Sequence, residues 1–155
     1  MTEKPTWGFA TNAIRAAEHR DPATEAHSTP IYQTASFSFE KSEDLSNAFV
    51  DPDGPNFYTR EGNPTVDVLQ NKMAILQGTE ACLTLSSGMA TVSVAVRLSS
   101  KAGDHLIVSD KLFVVSQIFF EIECPNMGLE VTAVDMLNLA AVEEAIKPNT
   151  KVLYT

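Results

Sequence analysis

The chain has 155 residues, enough for one domain with a real core, and its 44% hydrophobic content is that of an ordinary globular protein rather than a disordered one. Eleven Lys and Arg against 20 Asp and Glu give a net charge of -9, which argues against nucleic acid or an anionic membrane as the main partner. The start, Met1 to Trp7, lacks a secretory layout and no apolar run reaches the length of a membrane span, so a cytoplasmic protein is the expectation.

Residues 1–50 are read as an arm with a short helix. They are rich in Thr, Ala, Pro and charge, with extended patches at Pro30 to Thr34 and Phe37 to Phe39, and Ser42 is expected to cap a helix running to Val50. Asp51-Pro52-Asp53-Gly54-Pro55 forces a loop. Residues 51–155 are read as the N-terminal part of an α/β domain. Asn63-Pro64 predicts a helix start and Gly78 its stop, with Val66, Leu69, Met73 and Leu76 on one face against a core.

From position 81 onward, apolar strands alternate with helical patterns. Strands are predicted at 81–85, 105–109, 130–134 and 151–155, and helices at 89–98, about 115–123 (ending before Pro125) and over Leu139, Val142 and Ile146. This βαβ rhythm implies a mainly parallel sheet with helices on its faces. The last predicted strand runs into the C-terminus with no functional loop after it, so the chain reads as a piece of a longer protein. Cys82 and Cys124 have no metal-spaced neighbours and read as reduced core thiols, with no metal site expected.

Two segments carry chemical signals. In Leu83-Thr84-Leu85-Ser86-Ser87-Gly88-Met89, strand gives way at once to helix, so backbone N–H groups and the positive end of a helix dipole converge on one spot suited to an anion. Gly88 permits close approach, and the Ser86 and Ser87 hydroxyls add donors. Tyr58 and Arg60, two apart in an extended segment, offer a phenol and a guanidinium on one side; the same residues also read as a surface tyrosine beside an Arg60–Glu61 pair.

Pro30-Ile31-Tyr32-Gln33-Thr34, Tyr58-Thr59-Arg60, Asn63-Pro64-Thr65, Ser86-Ser87-Gly88-Met89-Ala90, Gly103-Asp104-His105 and Ala145 to Lys151 stand in the order and spacing of a known family. The chain resembles, over nearly its whole length, the Cys/Met-metabolism (trans-sulfuration) enzymes that use pyridoxal 5′-phosphate (PLP), such as O-acetylhomoserine sulfhydrylase, cystathionine γ-synthase and methionine γ-lyase. The resemblance implies an incomplete PLP-dependent fold-type I large domain preceded by an arm. It implies PLP as cofactor, its phosphate held by Ser87, Gly88 and Met89, with Tyr58 and Arg60 reaching over from a neighbouring subunit. It further implies a small amino-acid substrate and a dimer-built homotetramer with shared active sites.

At Leu112-Phe113-Val114-Val115-Ser116 the chain departs from the family's usual Leu-Tyr-Gly-Gly-Thr. Phe113 can still stack on the cofactor ring, but it lacks the phenol that assists proton transfer at the leaving group. Two valines in place of glycines are expected to crowd the site, and Phe113 also admits a plain core role. The lysine that carries the cofactor belongs, by resemblance, beyond Thr155; Lys101, Lys111, Lys147 and Lys151 do not match its motif, so no catalytic residue is assigned and the 155 residues alone are expected to be inactive. The expected activity of the longer protein is γ-replacement on O-acetylhomoserine or a similar ester. The alternatives are a γ-lyase acting on methionine or cystathionine, or a truncated product that only binds a full-length partner.

Overall fold

The computed structural model describes residues 7–51 and 54–155, so Pro52 and Asp53 of the expected loop and the first six residues of the arm lie outside the described residues. The chain divides into two compact units, Met1–Thr84 and Leu85–Thr155.

The first unit holds α1 (Phe9–Arg15), α2 (Ser42–Val50) and α3 (Pro64–Gln77). The boundaries of α3 follow from its caps. The Asn63 side chain accepts from the Thr65 amide at 2.9 Å, proline fills the first helical position, and Gly78 closes the helix in the left-handed region at φ 66°. Helix α1 was not legible, because a seven-residue helix without a side-chain cap leaves little sequence signal. It is tied to α3 by Lys72, whose Nζ donates to the Ile14 carbonyl at 3.2 Å and to Glu18 Oε1 at 2.7 Å. Val66 and Leu69, at the other end of the apolar stripe, remain exposed rather than packed on a core.

Ser42 does not cap α2. The N-cap position is Lys41, which makes no side-chain cap, and Ser42 lies inside the first turn, where its carbonyl accepts from Ser46 Oγ. The stretch 30–34 is kinked rather than simply extended, with Gln33 and Thr34 amides donating to carbonyls two residues back. Beyond it, Ser36 bridges Tyr58 antiparallel, flanked by Phe37 N–H to Phe57 O at 3.1 Å and Thr59 N–H to Ala35 O at 2.9 Å.

The second unit is a three-stranded parallel sheet of order β2-β1-β3, with β1 His105–Ser109, β2 Glu130–Val134 and β3 Thr150–Tyr154. Central β1 is buried along His105 to Val108, which is why it reads as a near-continuous apolar run. Leu106 and Val108 face a core with Val96 of α4 (Gly88–Ser99), Phe119, Phe120, Cys124 and Leu129. Phe120 packs on Phe119 edge-on at 5.2 Å and on Tyr154 at 4.7 Å between centroids. Helix α7 (Leu139–Ala145) packs on β2. No helix among the described residues is long and apolar enough to cross a membrane.

Two sequence expectations fail here. Residues 81–85 form no ladder among the described residues; the Thr84 N–H is taken by Gln70 Oε1 at 3.0 Å. The helix expected to stop before Pro125 instead runs on as α5 (Val114–Ile118), a π-helical turn (Phe119–Glu123) and α6 (Cys124–Asn126). The Cys124 amide reaches back five residues to the Phe119 carbonyl, and this wider turn admits the proline ring where a regular turn would clash.

Candidate functional site

Ser87 is the N-cap of α4, extended at φ -159° and ψ 159°. Its hydroxyl oxygen accepts from the Ala90 amide at 3.1 Å and its carbonyl from the Thr91 amide at 3.2 Å. The amides of Gly88 and Met89, the first two of the helix, have no intrahelical acceptor and point where the helix dipole is positive. No acidic side chain occupies the first turn to neutralise that end.

Gly88 is informative by what does not require it. Its φ lies outside the left-handed region, and a Cβ built on it would meet nothing within 4 Å. Neither backbone geometry nor packing in this chain calls for glycine. The open space sits over free amide donors and beside two exposed serines, Ser86 and Ser87. Such a donor set suits a phosphate, and its chemistry fits the phosphate of PLP.

Phe113 is the residue preceding α5 and is 71% exposed in this chain. Val114 and Val115 are also exposed at the start of α5. Three residues after Phe113, buried Ser116 donates through Oγ to Met89 Sδ at 3.6 Å, joining the first turns of α4 and α5. Sequence reasoning missed Ser116, since a contact across 27 positions leaves no local pattern.

Tyr58 and Arg60 are brought together, though not in an extended strand. The Tyr58 carbonyl accepts from the Glu61 and Gly62 amides, a turn that folds the Arg60 guanidinium over the Tyr58 ring at 5.0 Å. Arg60 Nε also donates to Glu61 Oε1 at 3.1 Å, so the surface pairing is realised as well. Both residues line an open concavity of about 900 Å³ with Ile31, Tyr32, Thr59 and Asn63. Asn63, nearly fully buried, fixes this loop by donating to the Tyr32 carbonyl at 3.0 Å and to Thr59 Oγ1 at 3.1 Å.

A second cavity, about 370 Å³, lies beyond the C-terminal end of β1 among Val108, Leu112, Phe120 and Val131. Its charged lining consists of Asp110 and Glu121, the wrong sign for a phosphate. His105 is fully buried, with its ring nitrogens each 2.8 Å from a threonine hydroxyl, Thr150 and Thr132. Burial holds its pKa below the usual histidine value, so it is a neutral structural group across three strands. Cys124 is a buried free thiol pushed up to about 11 by desolvation, whereas Cys82 is only half-buried.

The family model described as Cys/Met metabolism PLP-dependent enzyme matches residues 10–155. An L-methionine gamma-lyase from Porphyromonas gingivalis is 38% identical over 147 residues, covering 95% of this chain and 37% of that protein. An O-acetyl-L-homoserine sulfhydrylase from Corynebacterium glutamicum is 34% identical over 149 residues, covering 96% of this chain and 34% of that protein. A crystal structure described as an O-acetylhomoserine (thiol)-lyase from Campylobacter jejuni, which carries N′-pyridoxyl-lysine-5′-monophosphate, superposes with a TM-score of 0.87 at 29% identity, over 96% of this chain and 36% of that one. The chain thus spans little more than a third of the length of these relatives.

Proposed function

The chain belongs to the Cys/Met metabolism family of PLP-dependent enzymes, and on that footing we propose that the whole protein catalyses γ-replacement on O-acetylhomoserine or a similar homoserine ester. When bound, PLP supplies an electron sink that stabilises carbanions on an amino-acid substrate. In this reading the Gly88 and Met89 amides and the Ser87 hydroxyl hold the phosphate. Tyr58 and Arg60 of a neighbouring subunit close over it, adding a phenol donor and a guanidinium. The arm, residues 1–50, embraces that neighbour, and 51–155 begin the cofactor domain of a dimer-built homotetramer.

The observation that carries the choice of substrate is Phe113. Its exposed ring can face the cofactor but cannot hand a proton to a departing group. Acetate is a weak base and leaves without protonation, whereas a thiolate is a much stronger base and leaves better with a proton donor beside it. Loss of the phenol therefore handicaps sulfur leaving groups more than ester leaving groups. A second reading, a γ-lyase acting on methionine, has the support of relatives of that name at 36 to 38% identity.

The test is a product assay on the whole PLP-loaded protein. O-acetylhomoserine with sulfide should yield homocysteine, and methionine alone should yield little methanethiol. Faster release of methanethiol than formation of homocysteine would replace the first reading by the second. The 155-residue chain by itself, in either reading, turns over neither substrate.

A further inference from the structure

We propose that Ser116 is a positioning residue that couples the phosphate turn at Gly88 and Met89 to the aromatic ring of Phe113. The inference rests on the reading that α4 holds the phosphate of PLP. Ser116 is the one buried residue of α5, a five-residue element that continues into the π-helical turn carrying buried Phe119 and Phe120. Its hydroxyl donates to Met89 Sδ at 3.6 Å, and Met89 itself packs against the core formed by Val96, Leu106 and Phe120. Phe113 immediately precedes α5 and stands three residues before Ser116.

A single buried hydroxyl thus links the second residue of the helix that grips the phosphate to the element that presents the ring. Thioether sulfur is a weak acceptor, but a buried hydroxyl left without a partner costs more than the bond itself contributes. The pairing therefore holds the two helix starts in one relative position. A ligand that touches only the amides of α4 has no need of that fixed relation. A ligand that carries a phosphate and an aromatic ring on one rigid frame does.

The difference can be measured on the whole protein, stripped of PLP, by calorimetric titration with PLP and, separately, with inorganic phosphate. Ser116→Ala should weaken PLP roughly three- to tenfold while changing phosphate less than about twofold, with tenfold marking 1.4 kcal/mol. Met89→Leu, which keeps the volume and removes the sulfur, should show the same selective loss. Ser116→Thr, which retains the hydroxyl, should restore PLP affinity. Unchanged PLP affinity in Ser116→Ala would overturn the inference, as would equal losses for both ligands or failure of Ser116→Thr to rescue. If the unmodified whole protein, stripped of PLP, binds neither ligand, the phosphate reading of α4 falls and takes the inference with it.

Discussion

Gly88→Ala separates a glycine kept for the fold from one kept for a ligand. A Cβ at this position meets nothing within 4 Å and the backbone is outside the left-handed region, so the fold should accept the methyl group without strain. Replacing a helical glycine by alanine removes conformational freedom from the unfolded chain and stabilises by about 0.5–1 kcal/mol in a helix interior, less in a first turn. The melting temperature should therefore stay the same or rise slightly. Binding should move the other way. The added carbon stands beside the Gly88 amide, where a hydrogen-bonded phosphate oxygen would lie, and displacing that oxygen should weaken phosphate and PLP about tenfold or more, the equivalent of 1.4 kcal/mol. Thermal unfolding and calorimetric titration on one preparation read both quantities. A lower melting temperature with unchanged affinity would refute the reasoning, since it would make Gly88 a packing residue and leave the open space at α4 without a ligand.

Asn63→Ala should destabilise the first unit by about 2 kcal/mol, from a lost helix cap worth about 1 kcal/mol and a buried network left partly unpaired. Urea unfolding measures it, and a change below about 0.5 kcal/mol would mean that water replaces the amide without cost. His105 supplies a pH dependence. Burial keeps the folded ring neutral below its ordinary value of 6.5, while the unfolded ring protonates there, so the unfolded state binds more protons and stability falls as pH drops through and below that value. His105→Gln should flatten the stability profile between about pH 5 and 6.5, and an unaltered slope would assign that dependence to other groups.

The parts of the fold that were legible in the sequence are those fixed by single residues acting on their own backbone. Asn63, Pro64 and Gly78 set both ends of α3, and the apolar runs at His105 and Glu130 mark β1 and β2 to the residue. What escaped depends on partners. Residues 81–85 have the composition of a strand, yet a strand exists only where another backbone accepts its amides, and Thr84 donates to Gln70 instead. At Pro125 the rule that proline ends a helix presumes regular turns. The π-helical turn before it changes the spacing, and no hydropathy period distinguishes that turn from its neighbours.

The same division runs through the candidate site and explains why its two halves call for different evidence. Ser87 and Gly88 stood out because small residues between a strand-like run and a helix act locally, and the structure adds that Ser87 is the N-cap and that nothing within the chain demands the glycine. Phe113 was readable only as a departure from a pattern, and its meaning changes with its surroundings: buried, it would be a core residue like Phe120, whereas a ring left 71% exposed in this chain is consistent with the proposed place beside the cofactor. Ser116 was unreadable, because its role lies in the distance to Met89. A local anion grip can be inferred from sequence, whereas the placement of an aromatic ring relative to that grip is a property of packing. That is why the selective loss of PLP over inorganic phosphate probes the structure rather than the motif. The motif predicts equal dependence of both ligands on α4, and only the Ser116–Met89 contact predicts that they part.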